Sequence, residues 1–290
     1  MTISERTTTA NDLEFGYLEE GSGPLVLCLH GFPDSAWTWR HLLPELAAAG
    51  YHAVAPFLRG YAPTAVPSDG RYQTAALALD ANALHEVLGG GSDAVIVGHD
   101  WGAMATYVAA NHEPERWSRV VTMAVPPAGA VASGFLTYGQ LKRSWYMFFF
   151  QHGLADLVVG MEDLAFIDGL WADWSPGYDA SEDLPRVKDA LRDPAHLAAA
   201  LGYYRATLGN VGVDPALDAV QAKGAEVTAQ PTLYLHGTTD GCMGLEVAEG
   251  ARPFLTSPGS RMEVVEGAGH FLQLERPDVV NRLVLDFLAG

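Results

Sequence analysis

The sequence is short of cysteine, of basic residues and of long apolar runs, and each shortage narrows what the chain can be. Its two cysteines, Cys28 and Cys242, are too few for a disulfide framework. Cys28 sits inside an apolar run and reads as a small core residue. Only 17 lysines and arginines stand against 35 acidic residues, a net charge of −18. That balance argues against nucleic acid or an anionic membrane as a partner and disfavours polyanionic substrates. No segment supplies the ~18 uninterrupted apolar residues of a membrane span. The opening stretch, Met1-Thr-Ile-Ser-Glu-Arg-Thr-Thr-Thr, lacks the apolar core of a signal peptide. No internal repeat or low-complexity tract is visible. The expectation is a soluble cytoplasmic protein, with a homo-oligomer left open.

What is present suits a well-packed globular chain. It has 290 residues, 49% of them hydrophobic, and 31 glycines, enough for one large α/β domain with an insertion. Residues 12–20 alternate as an edge strand does, and Gly21-Ser-Gly-Pro24 is a turn. Residues 25–29 read as a buried strand ending in His30-Gly31-Phe32-Pro33, after which Asp34-Ser35 caps a helix over 36–48. A strand at Val54-Ala55 leads into the loop Arg59-Gly60-Tyr61-Ala62-Pro63-Thr64. Then come a helix over 74–87, a strand over 94–97, a helix over 103–111 and a strand over 119–124. Such alternation predicts a parallel, doubly wound sheet with right-handed crossovers.

From residue 128 the alternation stops. Residues 128–225 are rich in aromatics and read as helical pieces, a cap inserted over the carboxyl edge of the sheet where ligands bind in such folds. The sheet pattern returns at 232–235 and 262–265, followed by a final helix over 277–288. The predicted organisation is therefore a core over 1–127, a helical cap over 128–225 and the rest of the core over 226–290.

The chemistry concentrates at Ala94-Val-Ile-Val-Gly-His-Asp-Trp-Gly-Ala103. Strand, sharp turn flanked by glycines, helix: this is the architecture of a nucleophile elbow. The residue it presents is Asp100, where an ester hydrolase would carry serine. A carboxylate with an unperturbed pKa of about 3.9 needs no base to become a nucleophile at neutral pH. It is a poor tool against carbonyls but suits displacement at a saturated carbon, leaving an alkyl ester for water to cleave. Epoxides and alkyl halides are the candidates. The plainer alternative is that Asp100 only caps the helix that follows.

An ester on Asp100 needs a base to deliver water. His270, in Gly267-Ala-Gly-His270-Phe, follows the last strand, and Asp240 follows the strand before it. The order nucleophile, acid, histidine is that of the α/β-hydrolase triad, with the acid orienting the imidazole. His236 competes with His270 but reads as a strand-end residue, and His30 and His99 read as turn-stabilising. The backbone N–H groups of Phe32 and Trp101 can converge as an oxyanion hole. No spacing of histidines and carboxylates suggests a metal site.

Together, His30-Gly-Phe-Pro33, Arg59-Gly-Tyr61, Gly98-His-Asp-Trp-Gly102, Asp240-Gly-Cys242 and Gly269-His270 resemble the epoxide hydrolases of the α/β-hydrolase family. The match spans both halves of the core, though Ala62 stands where many relatives have glycine and Leu58 where many have an acid. The resemblance implies two cap tyrosines that protonate the opening epoxide. Trp145-Tyr146-Met-Phe-Phe-Phe-Gln151 places one role on Tyr146, and Tyr203-Tyr204-Arg205 places the other on Tyr204, with Tyr203 as the alternative. Phe32, Trp101, Trp145, Phe149 and Phe150 are expected to line the substrate. The implied partners are a small hydrophobic epoxide and water, with no cofactor and no metal. Two rivals stand beside this reading. A haloalkane dehalogenase would use Asp100 and His270 with Trp101 and Trp145 as halide donors, and a receptor on the same fold would bind a small ligand without turnover.

Overall fold

The computed structural model describes residues 3–209 and 211–290. The chain begins with a hairpin of β1 (Ser4–Ala10) and β2 (Leu13–Gly21). Asn11 and Asp12 turn it at φ 47° and 58°, left-handed backbone that these two residue types tolerate best after glycine. Strand β1 was not foreseen. It is threonine-rich and mostly exposed, so it has no apolar face to betray it.

The remaining strands are β3 (Leu25–Leu29), β4 (His52–Pro56), β5 (Val95–His99), β6 (Arg119–Met123), β7 (Thr232–Gly237) and β8 (Arg261–Val265). They form one sheet in the order β1-β2-β4-β3-β5-β6-β7-β8. β2 joins β4 antiparallel, and every pairing from β4 onward is parallel. All residues of β3 and β5 are buried, as helices on both faces of a parallel sheet require. The winding direction reverses between β3 and β5, whose register pairs Leu29 with Gly98. In this architecture ligands bind just beyond such a switch point, and His30–Pro33 and Asp100 lie there.

Helices α1 (Leu42–Ala48), α2 (Thr74–Val87) and α3 (Trp101–His112) flank the sheet. The single helix foreseen over 36–48 is instead a 3-10 turn, Ala36–Trp39, followed by α1. Pro44 explains the break. With no N–H to donate, proline belongs in a helix's first turn, where that donor has no partner anyway. Restarting at Leu42 puts it there.

Between β6 and β7 the described residues form no strand. They fold as α4 (Ala128–Gly134), α5 (Tyr138–Arg143), α6 (Trp145–Phe149), α7 (Ala155–Gly160), α8 (Ala165–Trp174), α9 (Asp183–Leu191) and α10 (Pro194–Leu208), then short turns. Tyr146, Phe150, Trp171 and Leu201 from these helices belong to the same continuous hydrophobic cluster as the sheet. The Trp171 indole donates to the Pro33 carbonyl at 2.8 Å and its ring stacks on Phe271. Among the described residues no helix is long and apolar enough to cross a membrane.

The Arg59 loop ties three parts together. Its guanidinium grips Asp80 of α2 with two bonds of 2.6 and 2.7 Å and donates a third to the Arg71 carbonyl. Asn11, in the hairpin turn, donates to the same carboxylate. From the other side, the Tyr203 hydroxyl donates to the Arg59 carbonyl at 2.7 Å, and His196 bonds the Gly60 carbonyl. Both partners lie on α10. Arg59 is 2% exposed and Asp80 4%, so loss of either charge strands the other out of water. Asp80→Asn is therefore expected to cost about 3–5 kcal/mol, measured as a fall in the urea midpoint at unchanged slope. A loss below about 1 kcal/mol would show that Arg59 finds water instead.

Candidate active site

Strand β5 delivers its chain into Asp100 at φ 54° and ψ −117°, a backbone geometry that non-glycine residues hold only when the surroundings impose it. The surroundings are tight. A Cβ on Gly98 would strike the Gly102 carbonyl, and one on Gly102 would strike the Leu29 carbonyl. The strand, turn and helix can approach this closely only with glycine at both places. The Asp100 side chain does not cap α3. It turns toward the neighbouring loop, where Oδ1 accepts the Phe32 N–H at 2.8 Å, and the Trp101 N–H also helps hold the carboxyl down in pKa. Burial is the larger effect and raises it above the usual carboxylate range, against the His270 imidazole and these N–H groups.

Oδ2 faces His270 Nε2 at 3.7 Å. On the far side of the ring, Nδ1–H donates to Asp240 Oδ2 at 3.1 Å, while Asp240 Oδ1 accepts the N–H groups of Cys242 and Met243. Burial pulls the imidazole down, yet the Asp240 carboxylate, its hydrogen bond and Asp100 together raise it above its ordinary value. Asp240 in turn sits below the carboxylate range: burial raises it, but His270, His236 and the Met243 N–H together outweigh that. Nε2 of His270 is buried and has no hydrogen-bond partner. The fold thus brings Asp100, His270 and Asp240 into one line.

The other histidines are occupied. His30 donates from Nδ1 to the Gly31 carbonyl and accepts the Leu58 N–H at Nε2, and burial lowers it to about 4. His236 is shared between the Tyr234 hydroxyl and the Met243 carbonyl. His99 donates from Nε2 to the His270 carbonyl at 2.9 Å and so braces the loop that carries that ring.

Aromatic side chains roof the carboxylate. Tyr204 packs edge-on against Trp101, Phe32, Phe150 and Tyr146, with centroids 5.0 to 5.6 Å apart. Its hydroxyl is buried without a partner. The Tyr146 hydroxyl lies 3.4 Å from Cys242 Sγ. Burial pushes both phenols well above their usual range, and the Asp100 charge adds to this. Tyr203 points away, its hydroxyl spent on the Arg59 carbonyl.

Trp145, foreseen as a lining residue, is not one. It is 46% exposed and its ring meets only Phe149 and Phe166 among the aromatics. Tyr146 of α6 and Phe150, which caps it, face inward four apart, which leaves Trp145 and Phe149 on the adjoining face. Phe149 stacks on Phe166 and backs Phe150 from behind, so it supports the wall without forming it. The two tyrosine segments are stitched to each other, since Gln151 donates to the Tyr204 carbonyl and Arg205 to the Phe150 carbonyl, both at 3.0 Å.

Three residues were missed. Trp174 packs its ring between Tyr146 and His270, and its carbonyl accepts the His270 N–H. Gln140, from α5, grips the acid loop by donating to the Cys242 carbonyl and accepting the Gly244 N–H. Nothing local marks either residue in a helical, aromatic-rich stretch. Cys242 was visible only as part of a motif, yet its thiol reaches the centre of the site. Asp100, Cys242 and His270 each offer a ligand atom within 4.8 Å of the others.

A sequence profile described as the alpha/beta hydrolase family matches residues 26–283. Epoxide hydrolase A of Mycobacterium tuberculosis is 30% identical, over 99% of this chain and 98% of that protein. The crystal structure of epoxide hydrolase A from Mycobacterium thermoresistibile superposes with a TM-score of 0.82 at 28% identity, covering 100% of this chain and 99% of the other. That of a Bacillus megaterium epoxide hydrolase in complex with an inhibitor gives 0.83 at 26% identity, over 98% and 100%.

The charges around His270 set a measurable order. In ring-labelled protein His270 is expected to titrate above the ordinary histidine range. In Asp240→Asn burial prevails, and the titration moves below that range. An imidazole that titrates at the same pH in both proteins would mean that Asp240 does not govern it. Because the free base forms as pH rises through this raised pKa, any step using His270 as a base gains rate toward alkaline pH.

Proposed function

The chain belongs to the alpha/beta hydrolase family, in its epoxide hydrolase branch, and from that premise we propose that it converts a neutral, hydrophobic epoxide into a vicinal diol through an ester on Asp100. Oδ2 attacks a ring carbon, the C–O bond breaks, and the departing oxygen takes a proton from Tyr146 or Tyr204. A phenol stays protonated at neutral pH, all the more in the buried setting of these two. It can therefore donate at the moment an alkoxide develops.

In the second half, His270 Nε2 takes a proton from water, and the hydroxide adds to the Asp100 carboxyl carbon. Negative charge then collects on Oδ1, which already accepts the Phe32 N–H, while the Trp101 N–H also acts on this carboxyl. Preset donors of this kind cost no reorganisation as charge develops. Collapse expels the diol oxygen, which is protonated by the imidazolium, and the proton shed as Asp100 returns to carboxylate replaces the one lent by tyrosine. Water and epoxide are consumed and one diol leaves.

The observation that carries this reading is the unpartnered Tyr204 hydroxyl, buried with Tyr146 beside the Asp100 carboxylate. A buried hydroxyl calls for a hydrogen-bond partner, and an epoxide oxygen can be one. The aromatic walls of Phe32, Trp101 and Phe150 favour an apolar body. The dehalogenase alternative loses one of its two proposed halide donors, since Trp145 faces outward.

Purified enzyme given racemic styrene oxide is expected to release the diol, and given 1-bromobutane to release no bromide. Replacing both tyrosines by phenylalanine should lower diol formation by on the order of 10²–10⁴-fold. Bromide without diol would move the assignment to dehalogenation. In His270→Gln, which keeps the nucleophile and loses the base, intact mass should show one epoxide added per chain. Substrate consumption in that variant with no adduct would overturn the covalent route.

A further inference from the structure

We propose that Asp100, Cys242 and His270 form a binding site for zinc, or a similarly sulfur-seeking divalent cation, which occupies the place of the substrate and switches the enzyme off. The three ligand atoms lie within 4.8 Å of one another, and Asp100 Oδ2 is 3.7 Å from His270 Nε2. Tetrahedral zinc with bonds of about 2.0–2.3 Å holds its ligands roughly 3.3–3.7 Å apart. A cation between the three therefore closes the set by a shift of about an ångström.

Two further observations point to a ligand here. His270 Nε2 is buried, faces the centre of the cluster and has no hydrogen-bond partner. Its other nitrogen donates to the Asp240 carboxylate at 3.1 Å, the carboxylate–histidine arrangement that fixes the tautomer and raises the basicity of metal-bound imidazoles. The same geometry that orients a base thus also orients a metal ligand. The donor set of one sulfur, one imidazole nitrogen and one carboxylate oxygen suits zinc and not magnesium or calcium, which prefer oxygen alone. On binding, Cys242 exchanges its S–H bond for a metal–sulfur bond and releases that proton to solvent, while Tyr146 gives up its contact with Sγ. Two anionic ligands then neutralise the cation in a buried place, and Asp100 is no longer free to react.

The test uses the full chain freed of metal by chelation. Zinc chloride is titrated in by calorimetry, and cobalt(II) is followed through the near-ultraviolet band that arises only from a thiolate–cobalt bond. One zinc per chain is expected, with the cobalt band present in the native enzyme and absent in Cys242→Ser. Asp240→Asn should weaken zinc by about 10–100-fold. Absence of the cobalt band in the native enzyme would overturn the proposal, whether or not the variants fold. So would zinc binding that is unchanged in both Cys242→Ser and His270→Gln, which would place the cation on other histidines. Because binding is read without turnover, its failure leaves the epoxide reading standing.

Discussion

The hydrogen bond from the Phe32 N–H to Asp100 Oδ1 sets the direction of everything else in the site. A carboxylate on a freely turning side chain would present either oxygen to either neighbour. With Oδ1 committed to the loop after β3, Oδ2 is the oxygen left for His270. That commitment depends on the two loops lying close at the carboxyl edge of adjacent parallel strands, where the winding reverses. It also depends on the left-handed backbone at Asp100, which aims the carboxylate out of the turn. The strain of one residue, on the order of 1–3 kcal/mol, is small beside what the buried strands on either side contribute.

The roof over this carboxylate is held by polar bonds at its edges as well as by apolar packing. Arg59 and Asp80 anchor α10 from below through Tyr203, Trp171 hooks the roof to Pro33, and Gln140 holds α5 to the acid loop. The bonds made by Tyr203, Trp171 and Gln140 end on backbone groups, and those of Trp171 and Gln140 end on loops that also carry a site residue. The scaffold and the chemistry therefore share their supports, so that a substitution far from Asp100 can disturb the site by loosening a loop.

Much of this was legible in the sequence, and the reasons are local. Glycines around Asp100, apolar runs of strand length and the order of Asp100, Asp240 and His270 each carry a steric or chemical signature that needs no tertiary context. The parts that were not legible depend on contacts between distant segments. Nothing near Trp145 says that it faces outward, because adjacent aromatics in a short helix look alike until one face is buried. Tyr203 and Tyr204 are likewise indistinguishable in the chain, and only the Arg59 carbonyl, 144 positions away, claims one of them. Strand β1 escaped because an exposed edge strand rich in threonine has little periodicity to read. The helix expected over 36–48 breaks for another reason: Pro44 cannot sit in a helix interior, although its neighbours pattern as one.

The cross-stitch between the two tyrosine segments has a stereochemical side. Gln151 reaches across to the Tyr204 carbonyl and Arg205 back to the Phe150 carbonyl, so the two phenols are carried as one unit, whereas Asp100 is carried by the sheet. In the proposed reaction the oxygen of the epoxide is gripped by that unit and its carbon is approached from the other. Handedness of the favoured substrate then follows from the offset between two rigid pieces. A change in how α7 and α8 pack beneath the stitched pair would tilt both phenols together and alter which mirror image reacts, with every side chain at the reacting atoms left as it is.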